Sequence, residues 1–150
     1  MLVIDQSNSN LTEFDEILQQ DTQSLVLQYN RLQNFSIQLP NLRYLDLSYN
    51  RLTKVELPTT LHFLNLRGNR FSTLDLRYLV DLQELDVSQN NLHDFQVQKL
   101  KTLDVSSTLL TCEQIVALTG LCTCVVAKQL PPLVERRLQE HFSSKLASMT

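Results

Sequence analysis

Apolar residues in this chain fall on a repeating pattern. From Leu42 the sequence reads Leu42-Arg-Tyr-Leu45-Asp-Leu47-Ser-Tyr-Asn50-Arg-Leu52, and from Leu61 it reads Leu61-His-Phe-Leu64-Asn-Leu66-Arg-Gly-Asn69-Arg-Phe71. The shared form is L-x-x-L-x-L-x-x-N-x-L. Its L-x-L centre alternates with period two, which predicts a short strand with both Leu on one side and the middle residue on the other. Leu82, Leu85, Val87, Asn90 and Leu92 repeat the pattern in full. Leu25, Leu27, Asn30 and Leu32 repeat it without the first Leu, and Leu100, Leu103, Val105 and Leu110 repeat it with Thr108 in the Asn position. Successive copies are 20, 19, 21 and 18 residues apart, counted from Asn30 through Asn50, Asn69 and Asn90 to Thr108. Two worn copies flank these five. Leu2-x-Ile4-x-x-Ser7 reads as a first strand, and Leu121-x-x-Cys124-x-Val126-x-x-Gln129 as a last one. The predicted middle strands are 45–47, 64–66, 85–87 and 103–105.

After each Asn comes a second apolar set: Leu32, Phe35, Ile37; Leu52, Val55, Leu57; Phe71, Leu74, Leu76; Leu92, Phe95, Val97. Repeats of about 20 residues leave a return path too short for a substantial helix, at 1.5 Å of rise per residue. Pro40 and Pro58 agree, since each would break a helix or a central strand. The return segments are therefore expected to be extended or turn-like. The Asn has its own task. The chain turns inside the core after each strand, where backbone groups lack ladder partners, and a carboxamide supplies both donors and an acceptor. Stacked Asn side chains are expected to bond the turn of the next repeat. Thr108 can do only part of this, so the ladder should fray there.

In these motifs the chain resembles the leucine-rich-repeat family, short-repeat type. The resemblance implies an α/β solenoid: a right-handed coil with a parallel β-sheet on its concave face, extended or turn-like convex segments and a C-terminal capping helix. One repeat cannot bury its apolar face alone, and stacking gives the array a continuous core.

One domain is expected over 1–150. Residues 1–21 form a degenerate first repeat, 22–110 the regular array, 111–130 a degenerate last repeat and 131–150 a C-terminal helix that is a cap or a connector. Residues 10–20 read as a helix, with Asn10 and Glu13 as a capping box and Leu11, Phe14, Ile17 and Leu18 on one face. Thr111 and Gln114 cap a second helix ending at Gly120. Pro131 and Pro132 precede a third, from Leu133 to about Ala147, whose Val134, Leu138, Phe142 and Leu146 recur every four residues. An apolar strand beginning at Leu2, with no polar cap before it, suggests a first edge that continues a longer array or docks on another chain.

Composition narrows the function classes. The chain has 150 residues and a net charge of −3, which gives no reason to expect a nucleic-acid partner. With two Gly and no Trp it offers no glycine-built phosphate loop. No apolar run approaches the length of a membrane span. The start, Met1-Leu-Val-Ile-Asp5, lacks the basic and apolar segments of a signal peptide. Cys112, Cys122 and Cys124 do not form the cysteine-rich caps that flank extracellular members of the family, which suggests a reducing, cytoplasmic compartment. Cys-x-Cys is a poor zinc spacing, and no fourth ligand is evident with His93 or His141, so no metal or other cofactor is expected. Cys124 is expected to take an inward Leu position.

No nucleophile elbow, metalloprotease helix, phosphate loop or triad is present, and His62, His93 and His141 are scattered, so no enzyme is expected. Asp46, Asp86 and Asp104, with Asn65, align at the middle of successive strands. Stacked carboxylates suit acid–base chemistry or Ca²⁺, but a middle position that simply faces water accounts for them better.

The pattern also assigns a concave face. Tyr29, Tyr44, Tyr49 and Phe63 all fall in its first half, with Arg67 beside them, while the second half is small and polar. Aromatics and Arg are the usual anchors of interfaces, although neighbouring aromatics also stabilise a sheet by themselves. Arg31, Arg51 and Arg70 follow successive Asn residues and line one rim. The expected function is a protein-recognition scaffold or adaptor, with Tyr29, Tyr44, Tyr49, Phe63, Arg67, Asp46, Asp86 and Asp104 as the partner-binding set. The alternatives are a regulatory segment of a larger signalling enzyme, of phosphatase or cyclase type, and a structural subunit of a larger assembly.

Overall fold

The structure is a computed structural model that describes residues 2–148, with side chains described to Ser144. In chain order its elements are β1 (Leu2–Asp5), β2 (Thr22–Val26), β3 (Asn34–Ser36), β4 (Tyr44–Asp46), β5 (Lys54–Glu56), β6 (Phe63–Asn65), β7 (Thr73–Asp75), β8 (Glu84–Asp86), β9 (Asp94–Gln96), β10 (Thr102–Asp104), α1 (Cys112–Leu121), β11 (Cys124–Val126) and α2 (Pro132–Ser148). Seven strands form one parallel sheet in the order β1-β2-β4-β6-β8-β10-β11. All five clear copies and both worn ones thus contribute a strand. The middle strands sit one residue earlier than the pattern predicts, because ladder pairing stops where each turn begins.

The core is built as columns. Leu25, Leu45, Leu64, Leu85 and Leu103 stack as one column, and Leu27, Leu47, Leu66, Val87 and Val105 as the next, all with at most 3% of their surface exposed. Each such burial contributes about 1.5–3 kcal/mol. Thr22 replaces the missing first Leu of its repeat. It is fully buried, and its hydroxyl donates to the Gln19 carbonyl at 2.7 Å.

The return segments are extended, as the repeat length requires. β3 pairs with β5 and β7 with β9, giving two separate two-stranded ribbons on the convex wall. Between them lies a cleft of about 510 Å³, lined by residues that include Val55, Glu56, Thr73 and Asp75. The concave ladder is continuous, and the convex one is interrupted at a seam between β5 and β7.

The Asn ladder forms, but it reaches backward. Asn50 Oδ1 accepts from Leu32 N–H in the preceding repeat, and its Nδ2 donates to the Leu27 and Leu47 carbonyls. Asn69 bonds Leu52 N–H and the Leu47 and Leu66 carbonyls in the same way, and Asn90 bonds Phe71 N–H and the Leu66 and Val87 carbonyls. The expectation that each Asn serves the next repeat is corrected accordingly. Thr108 donates only to its own strand, at the Val105 carbonyl.

Four further expectations are corrected. Residues 10–20 form no helix. Asn30 Oδ1 takes both Ser9 N–H and Leu11 N–H, Arg31 N–H donates to the Leu11 carbonyl, and Asn10 sits at φ 54°. These bonds commit the backbone that would have nucleated a helix. Leu11, Phe14 and Leu18 still pack on the core, while Ile17 is fully exposed. In the first repeat Ile4 pairs with Leu25, so Ser9, not Ser7, stands opposite Asn30. In the last, Val125 pairs with Leu103, so Val125 and Ala127 face inward and Cys124 is exposed. A one-residue shift of register exchanges the two faces of a strand. Finally, α1 runs through Gly120 to Leu121, with Cys122 N–H capping onto the Leu118 carbonyl.

The box at the start of α1 forms as read, with Gln114 N–H donating to Thr111 Oγ1 and Thr111 N–H to Gln114 Oε1. The helix buries Cys112, Ile115 and Leu118. α2 packs beside it and sets Leu138 into the core, with Val134 against it. Phe142 is 38% exposed, and the side chain of Leu146 lies outside those described.

Candidate functional site

The first residues of β4 and β6, Tyr44 and Phe63, stand in register as direct cross-strand partners. Their rings stack with centroids 4.3 Å apart and planes 1° from parallel. Burial pushes the Tyr44 hydroxyl pKa up, and the nearby Asp46 carboxylate adds to this.

A second stack lies where the strands end. Tyr29 and Tyr49 each precede a ladder Asn, and their rings stack at 4.7 Å and 8°. Both residues are in the left-handed region, at φ 58° and 55°. The equivalent residue one repeat on is Gly68, at φ 69°. Left-handed backbone costs a residue with a Cβ about 1–2 kcal/mol, and glycine is the residue that adopts it freely. Gly68 is required for a further reason. A Cβ there would stand 2.6 Å from Tyr49 Cδ1. The Tyr49 ring is therefore covered on one face by Tyr29 and approached closely by the Gly68 backbone. Arg67 fixes its outer end by donating Nε–H to Tyr49 Oη at 2.9 Å. That bond raises the Arg67 pKa, with Asp86 and Asp104 adding to the effect. The pattern placed these residues on one face; the need for Gly68 beside Tyr49 was not read from it.

The acidic row takes a different part. Asp46 is 8% exposed, and its Oδ1 accepts from Ser48 N–H and Ser48 Oγ–H. Asp86 accepts likewise from Ser88, and Asp104 from Ser106 N–H. Asn65 does the same for Arg67 N–H. Each side chain closes a turn onto the amide two residues on and guides the strand into its left-handed exit. The view that the middle position simply faces water is corrected for Asp46. Asp86 and Asp104 are half-buried and border a hollow of about 170 Å³, together with Phe63, Glu84 and Thr102. Among the described residues, no group of three His, Cys, Asp or Glu side chains is placed to hold a metal ion, and no helix is long and apolar enough to cross a membrane.

Comparison with known proteins agrees with this architecture. A family model described as Leucine Rich Repeat matches residues 41–63. Leucine-rich repeat serine/threonine-protein kinase 1 of Caenorhabditis elegans is 40% identical over 75 residues, which cover 42% of this chain and 3% of that protein. Immunoglobulin domain and leucine-rich repeat-containing protein 2 of the same organism is 35% identical over 97 residues, 60% of this chain and 12% of that protein. Mouse lumican is 33% identical over 115 residues, 65% of this chain and 33% of lumican. The chain thus spans a third or less of the length of these relatives. With its seven stacked strands and buried Asn ladder, the chain belongs to the leucine-rich-repeat family.

Proposed function

We propose that the chain is a protein-recognition module whose partner docks on the concave face around Tyr29, Tyr44, Tyr49, Phe63 and Arg67. The observation that carries this reading is the two stacked aromatic pairs on the concave face, Tyr29 on Tyr49 and Tyr44 on Phe63. The left-handed φ of Tyr29 and Tyr49 belongs to the turn itself, since Gln89 and Ser107 adopt it at the same repeat position. Tyr29 remains 51% exposed and Tyr44 37%, so ring surface is left for a partner to cover. Stacked rings held by a hydrogen-bonded Arg are already ordered before a partner arrives, which reduces the entropy lost on binding. Asp86 and Asp104 border the patch, where charge acts on the rate of encounter more than on the final affinity. The three cysteines are free thiols, and this supports a reducing, cytoplasmic setting.

The test is cross-linking from the native source, followed by direct binding to the captured partner. Tyr44→Ala with Phe63→Ala is expected to abolish binding while circular dichroism stays unchanged. Retention of the partner by a folded double variant would place the site elsewhere. A second reading, a recognition segment within a larger signalling enzyme, draws on the likeness to the worm kinase.

A further inference from the structure

Two residues beyond Tyr29, Tyr49 and Gly68, the chain carries an arginine. Arg31, Arg51 and Arg70 occupy one position in three successive repeats. Their backbone N–H groups make the same bond, each to a carbonyl of the preceding repeat: Leu11, Leu32 and Leu52. All three side chains are exposed. Among the described residues the ion pairs are Arg77–Asp75 and Arg137–Glu113, so none of these three has an acidic partner. A chain of net charge −3 therefore presents a ladder of three unpaired cations beside its aromatic patch.

We propose that this strip binds the acidic side chains of an extended peptide segment that runs across the strands, with its apolar residues against the aromatic patch. The proposal rests on the concave-face reading and names the chemistry of the partner. Repeats stack about 5 Å apart, and alternate residues of an extended chain are about 6.6 Å apart, a mismatch that flexible Arg side chains absorb. A guanidinium fork also matches a carboxylate in shape. Nucleic acid fits less well. Tyr29 stacks on Tyr49, Tyr44 stacks on Phe63, and Gly68 closes on the other side of Tyr49. Few ring faces remain for bases, whereas ring edges and hydroxyls suit a peptide.

The experiment is selection of a random displayed peptide library on the immobilised protein, followed by fluorescence anisotropy with the winning peptides and their Glu→Gln and Asp→Asn counterparts. Enriched peptides are expected to carry spaced acidic residues. Their neutral counterparts should bind about tenfold more weakly at low salt, the sum of a few exposed charge pairs, and the difference should shrink as salt rises. The triple variant Arg31→Gln, Arg51→Gln, Arg70→Gln should lose that advantage and bind the neutral peptides as the wild type does. Selection without acidic enrichment, an acidic preference that survives in the triple variant, or no selected peptide at all would overturn the proposal. So would tighter binding of oligothymidine or of phosphatidylserine vesicles than of the selected peptides. Neutral peptides that bind only when Tyr44 and Phe63 are present would sink the acidic strip and leave the concave face standing. Acidic binding indifferent to Tyr44→Ala with Phe63→Ala would do the reverse.

Discussion

Replacing Asn69 by Ala tests the ladder at its centre. Asn69 is 8% exposed, and its carboxamide makes four bonds: one accepted from Leu52 N–H and three donated to the Leu47, Leu66 and Arg67 carbonyls. The losses are unequal. Leu47 O keeps Asn50 and Leu66 O keeps Asn90, while Arg67 O keeps Tyr49 N–H. Leu52 N–H loses its side-chain partner, on a residue with no exposed surface. An orphaned buried donor costs about 1–3 kcal/mol, and the small cavity adds to it, so about 2–3 kcal/mol is expected. Asn30 also makes four bonds, but it serves Ser9, Leu11 and Gln6 at the first edge, where water can replace it. Asn30→Ala should therefore cost about 1 kcal/mol or less. Urea unfolding followed by circular dichroism reads the difference, since a loss of about 2 kcal/mol moves the midpoint by about 1 M for a slope near 2 kcal/mol/M. Hydrogen exchange should accelerate at Leu52 in particular. Equal costs at the two sites, or no loss at Asn69, would refute this accounting.

Thr108→Asn should extend the ladder by one rung and stabilise by about 1 kcal/mol, read in the same unfolding assay. Gly68→Ala should destabilise by at least the left-handed cost of about 1–2 kcal/mol, and should displace Tyr49, visible in near-ultraviolet dichroism. Tyr29→Gly should leave stability within about 1 kcal/mol, because relief of strain offsets a lost stack, yet weaken partner binding. Burial raises the Tyr44 and Tyr78 pKa values above 10.0. Their contribution to stability is thus full below the unfolded value and lost as pH rises through the folded ones, which a urea series across alkaline pH would record. Deleting 131–150 should uncover Ile115 and Leu118 and bring on dye binding; an unchanged melting point would make that segment a linker.

Legibility followed the strength of the repeat. Where Leu, Leu and Asn all recur, as from Leu42 to Leu92, strands and columns lie within one residue of the pattern. At the ends the periodicity is too degenerate to fix register. Cys124 and Val126 matched apolar positions as well as Val125 and Ala127 do, and only pairing with β10 decides between them. The helical spacing of Leu11, Phe14 and Leu18 was real, but it lost to a carboxamide 19 residues away from Leu11. For the candidate site, the alignment of Tyr44 with Phe63 and of Tyr29 with Tyr49 was legible because repeat position fixes cross-strand neighbours. The strained φ at Tyr29 and Tyr49 and the internal bonds of Asp46 were not, because the motif treats those places as free.

The seam in the convex wall gives the coil a mechanical grain. Along the concave side every neighbour is tied by a ladder, and on the outer wall β3 is tied to β5 and β7 to β9. Across the seam the convex tie is a single 3.3 Å bond, from Leu57 N–H to Tyr78 Oη. Between the two ribbons the convex wall is therefore held mainly by the packed core and the concave ladder behind it. The seam lies behind the repeats that carry Tyr49, Phe63 and Arg67, so the spacing of the aromatic face is set by the concave ladder alone at that point and not by a second ladder on the outer wall.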